Sequence, residues 1–350
     1  MIRSVNIAAS FVIIYLSGLL LITGRGILMP IIIAMFIWYF LNAIYRVISH
    51  LPKVGTHLPK AVSVLLTMIF VMGLGYAIVS IISNNVADVI QASARYQDHI
   101  QVIIANLQKK LHFQSALQLN TLLGEWSLQP FLVGIYGVFT SITSSAILIG
   151  LYVVFLFVEQ HFFTTKLNAL FPQRTHQALV HNILGHIIQD TQSYLGLKTF
   201  LSLITACASW LIMVSVHLDF SAFWALLIFF LNFIPNIGAI IATAFPVLLA
   251  FVQFQTPLPC FIIAGGIILV QFVIGNLIEP RFLSKSLNLS PLVILIALAF
   301  WGSVWGILGM FLSVPITVMM MIIFAHFNAT RPIAILLSQD GCIQKTYEKL

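Results

Sequence analysis

Ionisable and amide side chains are scarce in this sequence, so the few that interrupt its apolar runs are the first candidates for chemistry. Glu279 closes an apolar run in Asn276-Leu277-Ile278-Glu279-Pro280-Arg281. A carboxylate so placed can carry a proton or a cation, because charge near a bilayer core is costly and is kept for use or for pairing. Its plain reading is an ion pair with Arg281 or Lys285 beyond the helix end, worth little at a surface. The residues alone favour that plain reading. Asn232, Asn236 and Asn276 also lie in apolar segments. Amides there ordinarily hydrogen-bond between helices, and contact with a polar solute is the alternative.

Other constellations carry less. His176, His181 and His186 recur every five residues. Five residues turn a helix by about 500°, so the three share no face. A solvated loop face is expected there rather than a metal site, and Glu159 and His161 complete no ligand pattern. Cys207, Cys260 and Cys342 have neither metal nor redox spacing. There is no Walker A loop, no Gly-x-Ser-x-Gly elbow and no His-Glu-x-x-His. An ATP-driven pump, a membrane protease or any other enzyme therefore lacks support, and no cofactor is expected.

Backbone can also supply ligands. Two apolar blocks, 220–254 and 292–324, are too long for one span: a helix of either length would measure roughly 50 Å. They are too short for two full spans. Each carries breakers in its middle, Asn232-Phe233-Ile234-Pro235-Asn236-Ile237-Gly238 in the first and Trp301-Gly302-Ser303-Val304-Trp305-Gly306 in the second. The expected form is a pair of half-helices that dip in and return, with a full-span course as the open alternative. Freed carbonyls and half-helix ends then become ligands for a solute or ion. Gly238 precedes Pro246 by eight residues and Gly306 precedes Pro315 by nine. That likeness fits an inverted repeat, as in many secondary transporters, or coincidence between two apolar sequences. The pathway candidates are thus Glu279, Asn232, Pro235, Asn236, Gly238, Asn276, Pro280, Gly302, Gly306 and Pro315.

The elements that must position these residues follow from composition. Of 350 residues, 60% are hydrophobic and 7% charged, against about 25% charged in a soluble protein. Mean hydropathy is +1.06. So few charges cannot cover a soluble globule, and a disordered, collagen-like or disulfide-rich chain is excluded as well. The fold class is an all-α polytopic membrane protein of about eight transmembrane segments, two of them broken hairpins. Spans of about 20 apolar residues are read at 5–22, 27–44, 61–82, 131–158, 195–216 and 258–278, with the two blocks beside them. No small-residue cleavage site follows the first, so it is read as retained.

The net charge of +7 is scattered, with no run beyond Lys109-Lys110. It suggests no nucleic-acid partner and reads as the cytoplasmic loop bias that sets topology. Arg46, Lys53 and Lys60; Lys166, Arg174 and Lys198; Arg281 and Lys285; and Arg331, Lys345 and Lys349 fall on one side if both termini are cytoplasmic. The chain divides into 1–82, three spans; 83–129, an extracytoplasmic segment; 130–158, a fourth span; 159–194, a cytoplasmic helical segment; 195–324, a transport core; and 325–350, a cytoplasmic tail. Apolar residues from Val86 to Leu111 recur at three and four, predicting an amphipathic helix that could contact another subunit. Leu179, Val180, Ile183, Leu184, Ile187 and Ile188 repeat the pattern on the inner side.

The stretch 275–315 resembles the signature of the autoinducer-2 exporter family, also called the PerM-like permeases. The residues that carry it are Ile278-Glu279-Pro280, Ser284-Lys285-Ser286-Leu287-Asn288-Leu289-Ser290-Pro291, Trp301-Gly302, Gly306-Ile307-Leu308-Gly309-Met310 and Val314-Pro315. Phe233-Ile234-Pro235-Asn236-Ile237-Gly238 with Pro246 and Tyr194-Leu195-Gly196 add to it. Leu197 departs, standing where the family carries a polar residue, often glutamine. The resemblance implies a multi-pass protein of the bacterial inner membrane, oligomeric, that exports a signalling molecule or other small solute. It also raises Glu279 as a functional group, since some members are linked to sodium–proton exchange. The first reading is a gradient-driven exporter of a small polar solute. The alternatives are a sodium/proton antiporter using Glu279 and a non-transporting oligomeric scaffold.

Overall fold

A computed structural model of the chain describes residues 2–49, 69, 73, 75–78, 80–81, 85, 134, 137, 140–171, 173–254, 256–283 and 288–341. Of the segment 83–129 only Asn85 is described, and most of the span read at 61–82 and part of the span read at 131–158 lie outside the described residues. So does Lys285. The described residues are almost entirely helical and hold no strand, as the fold class requires. The helices are α1 (Ile2–Thr23), α2 (Arg25–Ser49), α3 (Ala146–Leu170), α4 (Arg174–Ser215), α5 (Ser221–Leu231), α6 (Ile237–Gln253) and α7 (Pro257–Phe272). A π-helical turn, Val273–Ile278, follows, then α8 (Glu279–Leu283), α9 (Pro291–His326) and α10 (Arg331–Leu337).

Among the described residues, five helices are long and apolar enough to cross a membrane, and α5 and α6 are shorter and equally apolar. Large apolar side chains stand fully outward on them, Ile147 at 90% exposure and Phe261 at 72%. Such surface fits contact with lipid tails, not water. The chain is a multi-pass membrane protein. From Arg174 onward the inner segment read at 159–194 and the span read at 195–216 share one helix. α4 runs unbroken through 42 residues, about 63 Å, because its polar residues alternate at helical spacing and no proline interrupts them.

The chain forms two compact units. One holds 1–69, 144–197 and 283–350; the other holds 70–143 and 198–282. In the first unit, α2 packs on α3 and α9 on α10. Its core joins Tyr39, Ile183, Ile187, Tyr194 and Leu289 with Val314, Val318, Met321 and Ile322. In the second, α5 packs on α6 and α6 on α7, around Met213, Phe223, Trp224, Ile228, Leu249, Ile263 and Ile267.

Both apolar blocks are broken and fold back on themselves. In the first, Trp224 of α5 stacks on Phe245 of α6 with ring centroids 6.1 Å apart. A Cβ on Gly238 would stand 1.8 Å from the carbonyl oxygen of Leu231. In the second, α9 is interrupted at Gly306, with φ 65° and ψ −144°. A Cβ on Gly309 would stand 1.9 Å from the carbonyl oxygen of Trp301. Only glycine permits backbone to approach that closely.

Candidate functional site

The first hairpin shows how the sequence opens its helix. α5 tightens at its end: Phe233 N–H donates to Phe230 O at 3.2 Å and Ile234 N–H to Leu231 O at 2.9 Å. Pro235 then has no N–H to continue the ladder. Asn236 takes φ 59° and ψ −56°, the strained γ-turn of positive φ, across which Ile237 N–H donates to Pro235 O at 2.6 Å. Gly238 N–H donates to Ile234 O at 3.1 Å as α6 begins.

Beside this turn lies an open cavity of about 540 Å³. Lys198 of α4 lines it, with Asn232, Pro235 and Asn236 of the turn and Thr243 of α6. Gln271 of α7, Asn276 of the π-helical turn and Glu279 of α8 complete its polar wall. Five sequence candidates therefore meet in one place: Glu279, Asn232, Pro235, Asn236 and Asn276. Gly238 is buried next to it and serves the close approach of the hairpin arms. Pro280 is exposed and does not line the cavity. Gly302, Gly306 and Pro315 belong to α9, in the other unit.

The ion-pair expectation for Glu279 is corrected in its partner. The Lys198 ammonium donates to Glu279 Oε1, and Arg281 is exposed. The Lys198 side chain is 5% exposed and that of Glu279 21%. Lys198 is thus no loop cation of the topology bias. It sits on the buried face of a membrane helix, where an ammonium is retained only with a partner. The pair is also a short tie across elements, 81 residues apart in sequence.

Lys198 heads a polar stripe that sequence reasoning missed. Ser202, Thr205 and Ser209 follow at four, three and four residues, the spacing of one helix face, and all three are fully buried. Thr205 Oγ1 donates to Leu201 O at 2.8 Å and accepts from Asn232 Nδ2 at 3.4 Å. Asn232 therefore does bridge two helices, the ordinary role of such an amide. The hydroxyls of Ser202 and Ser209 and the Nε2 of Gln271 are buried with no hydrogen-bond partner among the described residues. The signal was present as a polar repeat at three and four inside an apolar span.

The second hairpin carries a different lining. Trp301 and Trp305 are buried with ring centroids 5.0 Å apart. Trp305 Nε1 donates to Leu21 O at 3.1 Å, and Gly302 faces the Met310 side chain. Pro315 is buried in the second arm. The equivalence drawn between Gly238 and Gly306 also shifts. The close-approach glycine of the second hairpin is Gly309, three residues further on, while Gly306 supplies the positive φ that Asn236 supplies in the first.

The histidine expectation is corrected too. His176, His181 and His186 lie on α4, not on a loop. His176 and His181 are exposed, but His186 is half-buried with its ring 6.4 Å from that of His326.

Known proteins place this geometry in context. The profile of AI-2E family transporters matches residues 9–329. The AI-2 transport protein TqsA of Escherichia coli K12 is 28% identical over 93% of this chain and 95% of its own length. A Borreliella burgdorferi protein named only for transport is 31% identical over 69% of this chain and 67% of its own. The permease PerM of Escherichia coli K12 is 23% identical over 49% of this chain and 48% of its own.

Proposed function

Since the chain belongs to the AI-2E transporter family, we propose that it is a secondary transporter exporting a small polar solute or signalling molecule, autoinducer-2-like, from a bacterial cell. The proposal places it in the inner membrane as a homo-oligomer with both termini cytoplasmic. One observation carries it: the 540 Å³ cavity that gathers Asn232, Asn236, Gln271, Asn276 and Thr243 beside a mutually neutralised Lys198–Glu279 pair. Carboxamides and a hydroxyl offer donors and acceptors without net charge, which suits a hydroxylated or amide-bearing solute held by several hydrogen bonds. Binding that solute displaces water and gives the buried Gln271 Nε2 an acceptor. A helix broken beside a cavity is the usual setting for such a site in secondary transporters.

Flux of labelled autoinducer-2 and of candidate polar metabolites in proteoliposomes tests this. Saturable transport in wild type, reduced about two- to tenfold in Asn236→Ala with normal insertion, is expected from the loss of one hydrogen bond to a solute. Wild-type vesicles no more permeable than empty ones would overturn it. A second reading, sodium/proton antiport, draws on Glu279 in the cavity wall. A pH-dye assay in inverted vesicles separates the two. Sodium or lithium collapsing the proton gradient in wild type, but not in Glu279→Gln, would favour the antiporter.

A further inference from the structure

In the reading above Lys198 only balances the charge of Glu279, and the cavity suggests what that balance excludes. An alkali cation is held by oxygen ligands, and a carboxylate among them offsets its charge in a desolvated site. This cavity is lined by residues that carry such oxygens: Glu279, the amide-bearing Asn232 and Asn276, and the hydroxyl-bearing Thr243. The position against the carboxylate is nevertheless taken, because the Lys198 ammonium donates to Glu279 Oε1. The ammonium is held by a helix whose face at this level is buried, with Leu201 and Ser202 one turn on and almost wholly covered. It cannot move into water without leaving an unpaired carboxylate in the wall.

We infer that Lys198 is a tethered counter-cation: it fills the cation position of Glu279, so the cavity takes an uncharged solute and excludes free monovalent cations, and Glu279 becomes a sodium site only when Lys198 is removed. The inference takes from the proposed function only that this cavity is the solute site. Its physical basis is charge balance. With Lys198 in place the lining sums to zero, and a second positive charge a few ångströms from the ammonium is repelled. With Lys198 neutralised, the same oxygens surround an unbalanced carboxylate, and a sodium ion restores the balance.

The test is sodium-22 binding to the full-length protein in proteoliposomes. Wild type and Lys198→Arg should show no saturable binding. Lys198→Gln should bind sodium saturably, on the order of a hundredfold more tightly than any residual association with wild type, from removal of a like charge a few ångströms away, and Lys198→Gln/Glu279→Gln should lose the gain. Equal binding by wild type and Lys198→Gln overturns the inference, as does binding that survives in the double variant. If Lys198→Gln fails to insert, wild type decides alone. Its solute flux should be unchanged when N-methylglucamine replaces sodium, and a sodium requirement overturns the inference. Absence of any solute flux would count against the transport reading instead, leaving the sodium-binding comparison to judge Lys198.

Discussion

The two helical hairpins share a construction and differ in what they line. Each brings a glycine against a carbonyl of the opposite arm, Gly238 on Leu231 and Gly309 on Trp301. Each has a positive φ five residues after that carbonyl, at Asn236 and at Gly306. Yet the first turn presents amides and a proline to a cavity with a buried ion pair, while the second fills its turn with Trp301 and Trp305. The lesson is that a helix break at membrane depth is an architectural solution, and that function depends on the side chains placed at it. Breakers alone nominated Gly302, Gly306 and Pro315 on equal terms with Asn236. The linings separate them.

The sharpest way to break the comparison is to attack what the hairpins share. Gly238→Ala and Gly309→Ala each put a carbon within 2 Å of a backbone oxygen, which no side-chain rotation relieves. Both should cost more than the roughly 1–3 kcal/mol usual for overpacking, seen as loss of monodisperse protein in detergent. Gly302→Ala meets only the flexible Met310 side chain at 3.0 Å and should be nearly silent. A tolerated Gly309→Ala would mean that the second block does not fold back as the first does.

Attacking what differs should give a smaller, functional split. Glu279→Gln leaves the Lys198 ammonium without its counter-charge, and losing one partner of a buried pair costs about 3–5 kcal/mol. Because Glu279 is partly exposed, the lower end or less is expected, read as a drop in melting temperature together with loss of flux. Asn236→Ala should impair flux while lowering melting temperature only modestly, since alanine tolerates the positive φ less well than asparagine. Trp301→Phe, in the second hairpin, should leave flux intact. Equal loss of flux from Asn236→Ala and Trp301→Phe would erase the distinction drawn between the linings.

How much of this was legible in the sequence depended on the kind of signal. The membrane class, the two blocks and their breakers were legible because hydrophobic length and Gly/Pro punctuation are local. The first turn was bracketed to 232–238, where Pro235 removes a backbone donor and Gly238 permits close approach. The partner of Glu279 was not legible. Lys198 lies 81 residues away, and local charge counting assigned it to a loop. The polar face at 198, 202, 205 and 209 was legible in principle, but serine and threonine read as neutral in a hydropathy scan. The close-approach role of Gly309 was hidden because glycines alternate so densely from Gly302 to Gly309 that spacing cannot choose among them; only the opposite arm can.

The smallest expected effects concern the backbone of the two turns, and there the comparison predicts opposite signs. Asn236 holds φ 59° with ψ −56°, a γ-turn geometry that costs a residue with a Cβ about 1–3 kcal/mol. Asn236→Gly removes that strain and loosens the unfolded chain by less, about 0.4–1 kcal/mol, so melting temperature should hold or rise while flux falls because the amide is gone. Gly306→Ala imposes the strain instead: φ 65° with ψ −144° lies where essentially only glycine resides, at about 1–3 kcal/mol. Melting temperature should drop while any protein that folds keeps its flux. Matched melts and flux assays on the two variants check this crossing pattern. A stable Gly306→Ala with lost flux would give the second turn a part in transport and return it to the candidates.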